Sequence, residues 1–231
     1  MRAARSVEQE YYLCAATGRV WSFAEPVLKG MGLVDPCIIS SGTQICNPMT
    51  GEILWQSNVE PAAVEAALQI SRGYNGTKVL INDFTEDDYL HGGVEPRLLS
   101  ITEPVYFFEL IFVPQNIAPE IVAELSKIQG VAVTLVIAQR EGYNDVHVTN
   151  SNATKEHAVA ELLKIIGVNR QDTIGVGDGN NDIHLFNAVG HKVAMGNAIA
   201  ELKAAADEVI GSVKEDGFTV FLERLAAKQR V

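Results

Sequence analysis

Gly175-Val176-Gly177-Asp178-Gly179-Asn180-Asn181-Asp182 is the stretch whose reading decides the fold. Residues 173–176 have the composition of a short buried strand, and the glycines that follow let the backbone turn sharply. In an open parallel sheet, ligands bind beyond the carboxyl ends of the strands. Asp178 is expected at that edge. Asp182 comes four residues later, in the first turn of a helix predicted over 181–189, so it can face the same loop. Two carboxylates with asparagines beside them make an oxygen-rich site, of the kind Mg²⁺ occupies together with a substrate phosphate. An Asx-rich turn that only caps the helix is the alternative.

Working outward, the last third of the chain alternates between strand and helix. A helix is predicted over 155–166, with Ala158, Leu162, Leu163 and Ile166 on or near one face. Strands are expected over 191–195 and 208–210, and helices over 198–206 and 216–228. This alternation predicts an α/β fold with a mostly parallel sheet covered on both faces. The N-terminal part is expected to add a strand over 11–16 and a helix over 22–31, with Ser22 as its cap and Gly30 and Gly32 near its end. A strand over 34–39 follows, then a hairpin through Ile45 and residues 53–55. The first ten residues are polar and read as a short helix or a frayed end.

From about Ser57 the texture changes. An alanine-rich helix over 61–72 opens on Pro61, and a second helix is predicted over 117–128. Strands are expected over 78–82, 106–113, 131–138 and 143–148. This section reads as a smaller α/β unit inserted in the larger one.

Composition bounds the function. The chain has 231 residues, 47% hydrophobic and 20% charged, as expected of a globular protein with a sizeable core. Its net charge of −11 does not favour a nonspecific grip on nucleic acid or anionic lipid. Neither a small phosphorylated substrate nor a metal ion is excluded. The three cysteines, Cys14, Cys37 and Cys46, form no CxxC pair, which argues against a disulfide scaffold and a thiolate zinc site. No apolar run has transmembrane length, and Glu8 and Glu10 interrupt any signal-peptide pattern. A reduced, cytoplasmic setting is the expectation.

Two further segments carry chemistry. Thr17-Gly18-Arg19 places a hydroxyl and backbone amides at a strand end, where they can hold a phosphoryl oxygen; a plain turn is the alternative. Lys155 opens the long helix after Asn152-Ala153-Thr154. It gains a role only if its loop points to the same sheet edge, where its charge can neutralise a phosphate. A P-loop is absent, as is any GxGxxG after a strand, which argues against a nucleotide-binding regulator.

Taken together, these segments resemble the haloacid dehalogenase-like hydrolases. The branch they resemble is that of Cof-type sugar phosphatases, sucrose-phosphate phosphatase and archaeal phosphoglycolate phosphatase. The matching stretches are Ala16-Thr17-Gly18-Arg19, Ser40-Ser41-Gly42-Thr43-Gln44-Ile45, Asn152-Ala153-Thr154-Lys155-Glu156-His157-Ala158 and Gly177 to Asp182. Val193-Ala194-Met195-Gly196-Asn197-Ala198 and Glu215-Asp216-Gly217 follow in the family's order.

The resemblance implies a three-layer Rossmann-like core, formed by residues 1–56 and 149–231, and an inserted α/β cap over 57–148. It implies Mg²⁺-dependent hydrolysis of a small phosphomonoester, with Thr17 and Lys155 in the catalytic site. Gly18, Arg19, Ser41, Asn181 and Asn197 join Thr17 and Lys155 as phosphate or substrate contacts, and Asp178 and Asp182 hold the metal. The family's reaction uses an aspartate nucleophile and an acid–base aspartate two positions later, on the first core strand. No aspartate precedes Thr17 here, and Asp-x-Asp occurs nowhere in the chain. The expectation is therefore a phosphatase core without its first strand, inactive or strongly impaired and with weakened metal binding. A non-catalytic phosphometabolite-binding or structural protein is the alternative. The gap in the sheet is closed by neighbouring strands, by the N-terminal segment or by a second chain, and a homo-oligomer is the favoured expectation. His147, His157, His184 and His191 show no metal spacing and are expected to be surface or packing residues.

Overall fold

The computed structural model describes residues 11–138, 140–179 and 182–228. The expectation for the first ten residues lies outside these. Residues 13–17 are extended and lead into helix α1 (Trp21–Met31). Gly32 closes this helix in the left-handed region at φ 74°. Ser22 is not its cap. The helix begins one residue earlier, and Ser22 lies in its first turn. There the Ser22 amide donates to Asp83 Oδ1 at 3.0 Å and its hydroxyl to the Phe84 carbonyl at 2.5 Å. The orphan amide of that turn is satisfied by a distant carboxylate, which sequence spacing does not reveal.

Strands β1 (Cys37–Ile39), β2 (Gln44–Cys46) and β3 (Ile53–Gln56) form an antiparallel three-stranded sheet. Residues 13–17 lie parallel to β1, with Ala16 opposite Ile38. The Thr17 amide donates to the Ile38 carbonyl at 2.9 Å, and the Ile38 amide to the Ala15 carbonyl at 2.8 Å.

The middle of the chain contains α2 (Pro61–Arg72), β4 (Lys78–Ile81), α3 (Glu86–Leu90), β5 (Phe108–Pro114), α4 (Ala118–Leu125), β6 (Val131–Ile137) and β7 (Tyr143–Asn150). Its four strands pair antiparallel in the order β4-β5-β7-β6. Ala67 and Leu68 of α2 and Ile121 and Leu125 of α4 pack on Val79, Leu110, Val146 and Val148. Because strand side chains alternate, Leu80, Phe107, Glu109, Asp145 and His147 belong to the opposite face.

The last third adds α5 (Lys155–Ile166), β8 (Ile174–Gly177), α6 (Ile183–Ala188), β9 (His191–Ala194), α7 (Ala200–Ala205), β10 (Glu208–Val209) and α8 (Gly217–Lys228). The strands pair parallel in the order β10-β9-β8. Helix α5 buries Ala158, Val159 and Leu162 against Ile38 and Ile45 of the first sheet and against Ala188 and Val189 beside the third.

The α/β character holds, but the expected mostly parallel sheet does not form. Of the three sheets, two are antiparallel and only β10-β9-β8 is parallel. The reason lies in the connections. A parallel neighbour needs a crossover of a dozen or so residues. Such helical crossovers link β8, β9 and β10, whereas short turns link β1, β2 and β3 and send the chain straight back. Among the described residues, no ladder joins residues 13–17 to β8, so the parallel and antiparallel parts stay separate sheets.

Candidate functional site

Strand β8 delivers Asp178 to its carboxyl end, as expected. Asp182 sits at the start of α6, and its side chain folds back over the β8 terminus. Asp182 Oδ2 accepts the amides of Asp178 at 3.0 Å and Gly179 at 3.1 Å. Its Oδ1 accepts Lys155 Nζ at 2.7 Å. Both partners are buried, Lys155 at 7% exposure and Asp182 at 8%. Burial pushes the Asp182 carboxyl up, but the Lys155 charge, its hydrogen bond and the two amides outweigh it and hold the group below its ordinary value. Lys155 is in place because the Thr154 hydroxyl caps α5 by accepting the His157 amide at 3.2 Å, which makes Lys155 the first residue of the helix. Asp178 is exposed, and its Oδ2 accepts Asn197 Nδ2 at 3.0 Å. Asn197 is oriented in turn by accepting the Val213 amide at 3.0 Å.

The Thr17 turn and the turn after β1 pack together next to Lys155. The Ser41 amide donates to the Thr17 carbonyl at 3.3 Å, and the Ser40 amide to the Arg19 carbonyl at 2.7 Å. Ser40 and Ser41 both lie in the left-handed region, at φ 51° and 59°. Gly42 follows at φ 99°, and a Cβ there would meet the Thr154 carbonyl carbon at 2.9 Å and the Lys155 nitrogen at 3.0 Å. A glycine is thus required where this turn meets the start of α5. Ser41 Oγ lies 3.3 Å from where a Cβ of Gly18 would stand. The Thr17 hydroxyl accepts the Arg19 amide at 3.2 Å, and the Arg19 residue itself is exposed.

The structure therefore gathers Thr17, Gly18, Ser41 and Lys155 in one packed cluster. The Lys155–Asp182 pair joins this cluster to Asp178 and Asn197. Arg19 belongs to the turn by its backbone, and Asn181 lies outside the described residues. No cluster of three or more His, Cys, Asp or Glu side chains suited to a metal occurs among the described residues. Both oxygens of Asp182 already have donors, whereas Asp178 Oδ1 has none among the described residues. One free carboxylate oxygen fits an ion that takes one or two carboxylates and completes its shell with phosphate and water.

His147, expected as a surface or packing residue, has its side chain largely buried and lies against the Ser41 turn. His147 of β7 directs Nδ1 at Ser41 Oγ, 3.3 Å away, and Nε2 at Glu109 Oε1 of β5, 3.0 Å away. Burial raises the Glu109 carboxyl against the lowering effect of His147. Burial also raises Asp145, which accepts the Phe112 amide and the Tyr89 hydroxyl, each at 3.0 Å. The available signal was the alternation of Asp145, His147 and Thr149 with Val146 and Val148, which marks a polar strand face.

A family profile described as haloacid dehalogenase-like hydrolase matches residues 2–95 and 103–222. The chain belongs to this family. No curated protein matches it significantly. Among solved structures, the fold is similar to that of a haloacid dehalogenase-like hydrolase from Bacteroides thetaiotaomicron. That protein is 24% identical, with a TM-score of 0.78 and coverage of 96% of this chain and 90% of the other. It is also similar to a phosphatase of the same superfamily from that organism, at 18% identity, TM-score 0.74 and coverage of 96% and 85%. A subclass IIB sugar phosphatase of this superfamily is 21% identical, with a TM-score of 0.70 and coverage of 96% and 90%. At these identities the likeness is one of fold.

Proposed function

We propose that this haloacid dehalogenase-like chain carries the phosphate-holding part of a phosphomonoester hydrolase site, in the manner of the Cof-type and sucrose-phosphate phosphatase branch. The observation that carries the reading is Lys155. Its ammonium is buried and has one acceptor, Asp182, so two of its N–H donors have no acceptor among the described residues. A buried cation with donors left over, on the residue whose backbone the Ser41–Gly42 turn rests against, suits a phosphoryl group. Thr17 and Gly18 hold phosphoryl oxygens, Lys155 neutralises their charge, and Asp182 fixes Lys155. Asp178 would hold Mg²⁺, with Asn197 orienting that carboxylate and Asp182 supporting the loop. When bound, the ion neutralises phosphate charge and aligns the ester. Residues 57–148 act as a cap over the site, and Ser41 lies on the cap side.

Asp-x-Asp occurs nowhere in the chain, so the family's covalent step has no matching pair of carboxylates here. The reading therefore includes turnover reduced by orders of magnitude, with binding of a small phosphorylated metabolite as the function that remains. Strand β8 is paired only with β9, and residues 13–17 only with β1, among the described residues. These free edges favour a second copy of the chain as a partner. No helix of the described residues is long and apolar enough to cross a membrane. A cytoplasmic setting completes the proposal.

The test is Mg²⁺-dependent phosphate release from a broad phosphomonoester panel, with calorimetric titration of inorganic phosphate and Asp178→Ala as the paired control. Phosphate binding with only background turnover supports the reading. Full turnover that the control abolishes overturns the impaired step, and absence of phosphate binding overturns the site.

A further inference from the structure

We infer that a second copy of this chain joins at the open edge of β6, strand against strand, about a two-fold axis through Thr134. The inference gives the second copy proposed above a contact other than the β8 edge, and it stands without the phosphate site. Strand β6 ends the order β4-β5-β7-β6, and it pairs with β7 in unbroken register from Val131 opposite Asn150 to Ile137 opposite Asn144. Beyond its two ends the Ser151 amide donates to the Gly130 carbonyl at 2.9 Å, and the Ala138 amide to the Tyr143 carbonyl at 3.4 Å. These bonds set the phase of the ladder. Even-numbered residues exchange backbone bonds with β7, and Val131, Val133, Leu135 and Ile137 turn their N–H and C=O groups to the edge. Among the described residues, no other backbone group bonds to these four.

The two edges of this sheet are treated differently. At β4 the chain covers its own edge: Val79 and Val94 exchange both backbone bonds, at 3.0 and 3.1 Å, and Lys78 pairs with Glu95. Charges, prolines, bulges and covering segments are what normally guard an edge strand. The run Val131-Ala132-Val133-Thr134-Leu135-Val136-Ile137 has no charge and no proline, its register has no bulge, and no described segment crosses it. What fits such an edge is another strand.

The side chains point to β6 itself as that strand. The odd-numbered residues share the face that α2 and α4 cover. Val131 and Val133 are half-buried against that core, whereas Leu135 is 45% and Ile137 83% exposed. A two-fold through Thr134 sets Leu135 beside Val133 of the partner subunit and Ile137 beside Val131 of the partner subunit. The bare half of each strand then lies next to the covered half of the other, and all four outward residues of each meet bonding partners. Charge agrees with this pairing. The chain carries −11, yet Lys127 pairs with Glu124 before β6, and Arg140 and Glu141 follow it, so both ends of the strand are balanced. Two copies can approach there without like charge accumulating. The four-stranded sheets of the two copies become one continuous sheet.

Sedimentation velocity of the full chain, together with oxidative cross-linking, tests this. The wild-type chain should form a dimer and no larger series. Leu135→Lys puts a cation on the edge and should raise the dimer dissociation constant by at least about tenfold, whereas Ile174→Lys on β8 should leave it within about twofold. Thr134→Cys should cross-link across the axis, because a non-hydrogen-bonded antiparallel pair brings its Cα atoms to about 4.5 Å, within disulfide reach. Val136→Cys, which faces Ala132 of the partner subunit in this register, should not. A wild-type monomer at every concentration overturns the inference and removes the second copy from the proposed function. A dimer that Ile174→Lys dissolves and Leu135→Lys leaves intact overturns the inference alone. So does a dimer that fails to cross-link through Thr134→Cys, or that cross-links equally through Val136→Cys. A wild-type series beyond the dimer overturns the closed pairing.

Discussion

Gly177 leaves no room for a side chain beneath Asp182: a Cβ on the glycine would stand 2.5 Å from the Asp182 Cβ. The carboxylate reaches back to the Asp178 and Gly179 amides only because β8 ends in a residue without a Cβ. Gly177→Ala should therefore displace Asp182 and release Lys155. A destabilisation of about 1–3 kcal/mol is expected, the range for overpacking a filled site. Thermal unfolding reads the stability, and a phosphate titration reads the site; both should fall together.

The Lys155–Asp182 pair should be visible in the pH dependence of stability. The folded Asp182 carboxyl lies below its ordinary value, so its contribution is present at neutral pH, above the unfolded value of about 4. The contribution is lost as pH falls through the lowered folded value. Asp182→Asn should flatten this acid limb. Lys155→Met leaves a buried carboxylate with only its two amide donors and should cost about 3 kcal/mol at neutral pH. Unfolding curves from pH 3 to 7 for the three proteins test the sign.

The thiols should be inert in the folded chain. Burial pushes Cys14 and Cys46 up to about 12 and Cys37 up to about 11. Little thiolate exists at neutral pH, and the thiolate is the reactive form. Iodoacetamide at pH 7.5 should label the native protein slowly at all three positions and the denatured protein quickly. Peptide mass spectrometry reads each site separately, and rapid native labelling of Cys37 would contradict the packing of residues 13–17 on β1.

The edge of β8, which pairs with no second strand among the described residues, should make association concentration-dependent. Sedimentation from low micromolar to several hundred micromolar chain is expected to show a species heavier than 25.0 kDa. A monomer throughout removes the second copy from the proposed function.

Much of the fold was legible where local pattern and tertiary demand agree. Helix α5 was readable to the residue, because a capping threonine opens it, a periodic apolar face runs through it and Gly167 ends it in the left-handed region. The loop of Asp178 was readable because glycine and aspartate types change abruptly at a strand end. Sheet direction was not. Short strands such as Cys37–Ile39 read alike whether their neighbour is parallel or antiparallel, and only the connection length decides. The contacts of His147 were not legible for another reason. Its two partners, Ser41 and Glu109, are 106 and 38 residues away in sequence, so no local spacing records them.

Helix α5 has a consequence for how the molecule comes apart. The two core sheets share no backbone ladder among the described residues, and the apolar face of α5 lies against both. The same helix begins with Lys155, the lysine of the proposed phosphate site. Anything that tightens Lys155 in its place should therefore also tighten the seam between the two sheets. Phosphate should act as a clamp on the cooperativity of unfolding, with hydrogen-exchange protection in β1 and β8 rising together when it binds.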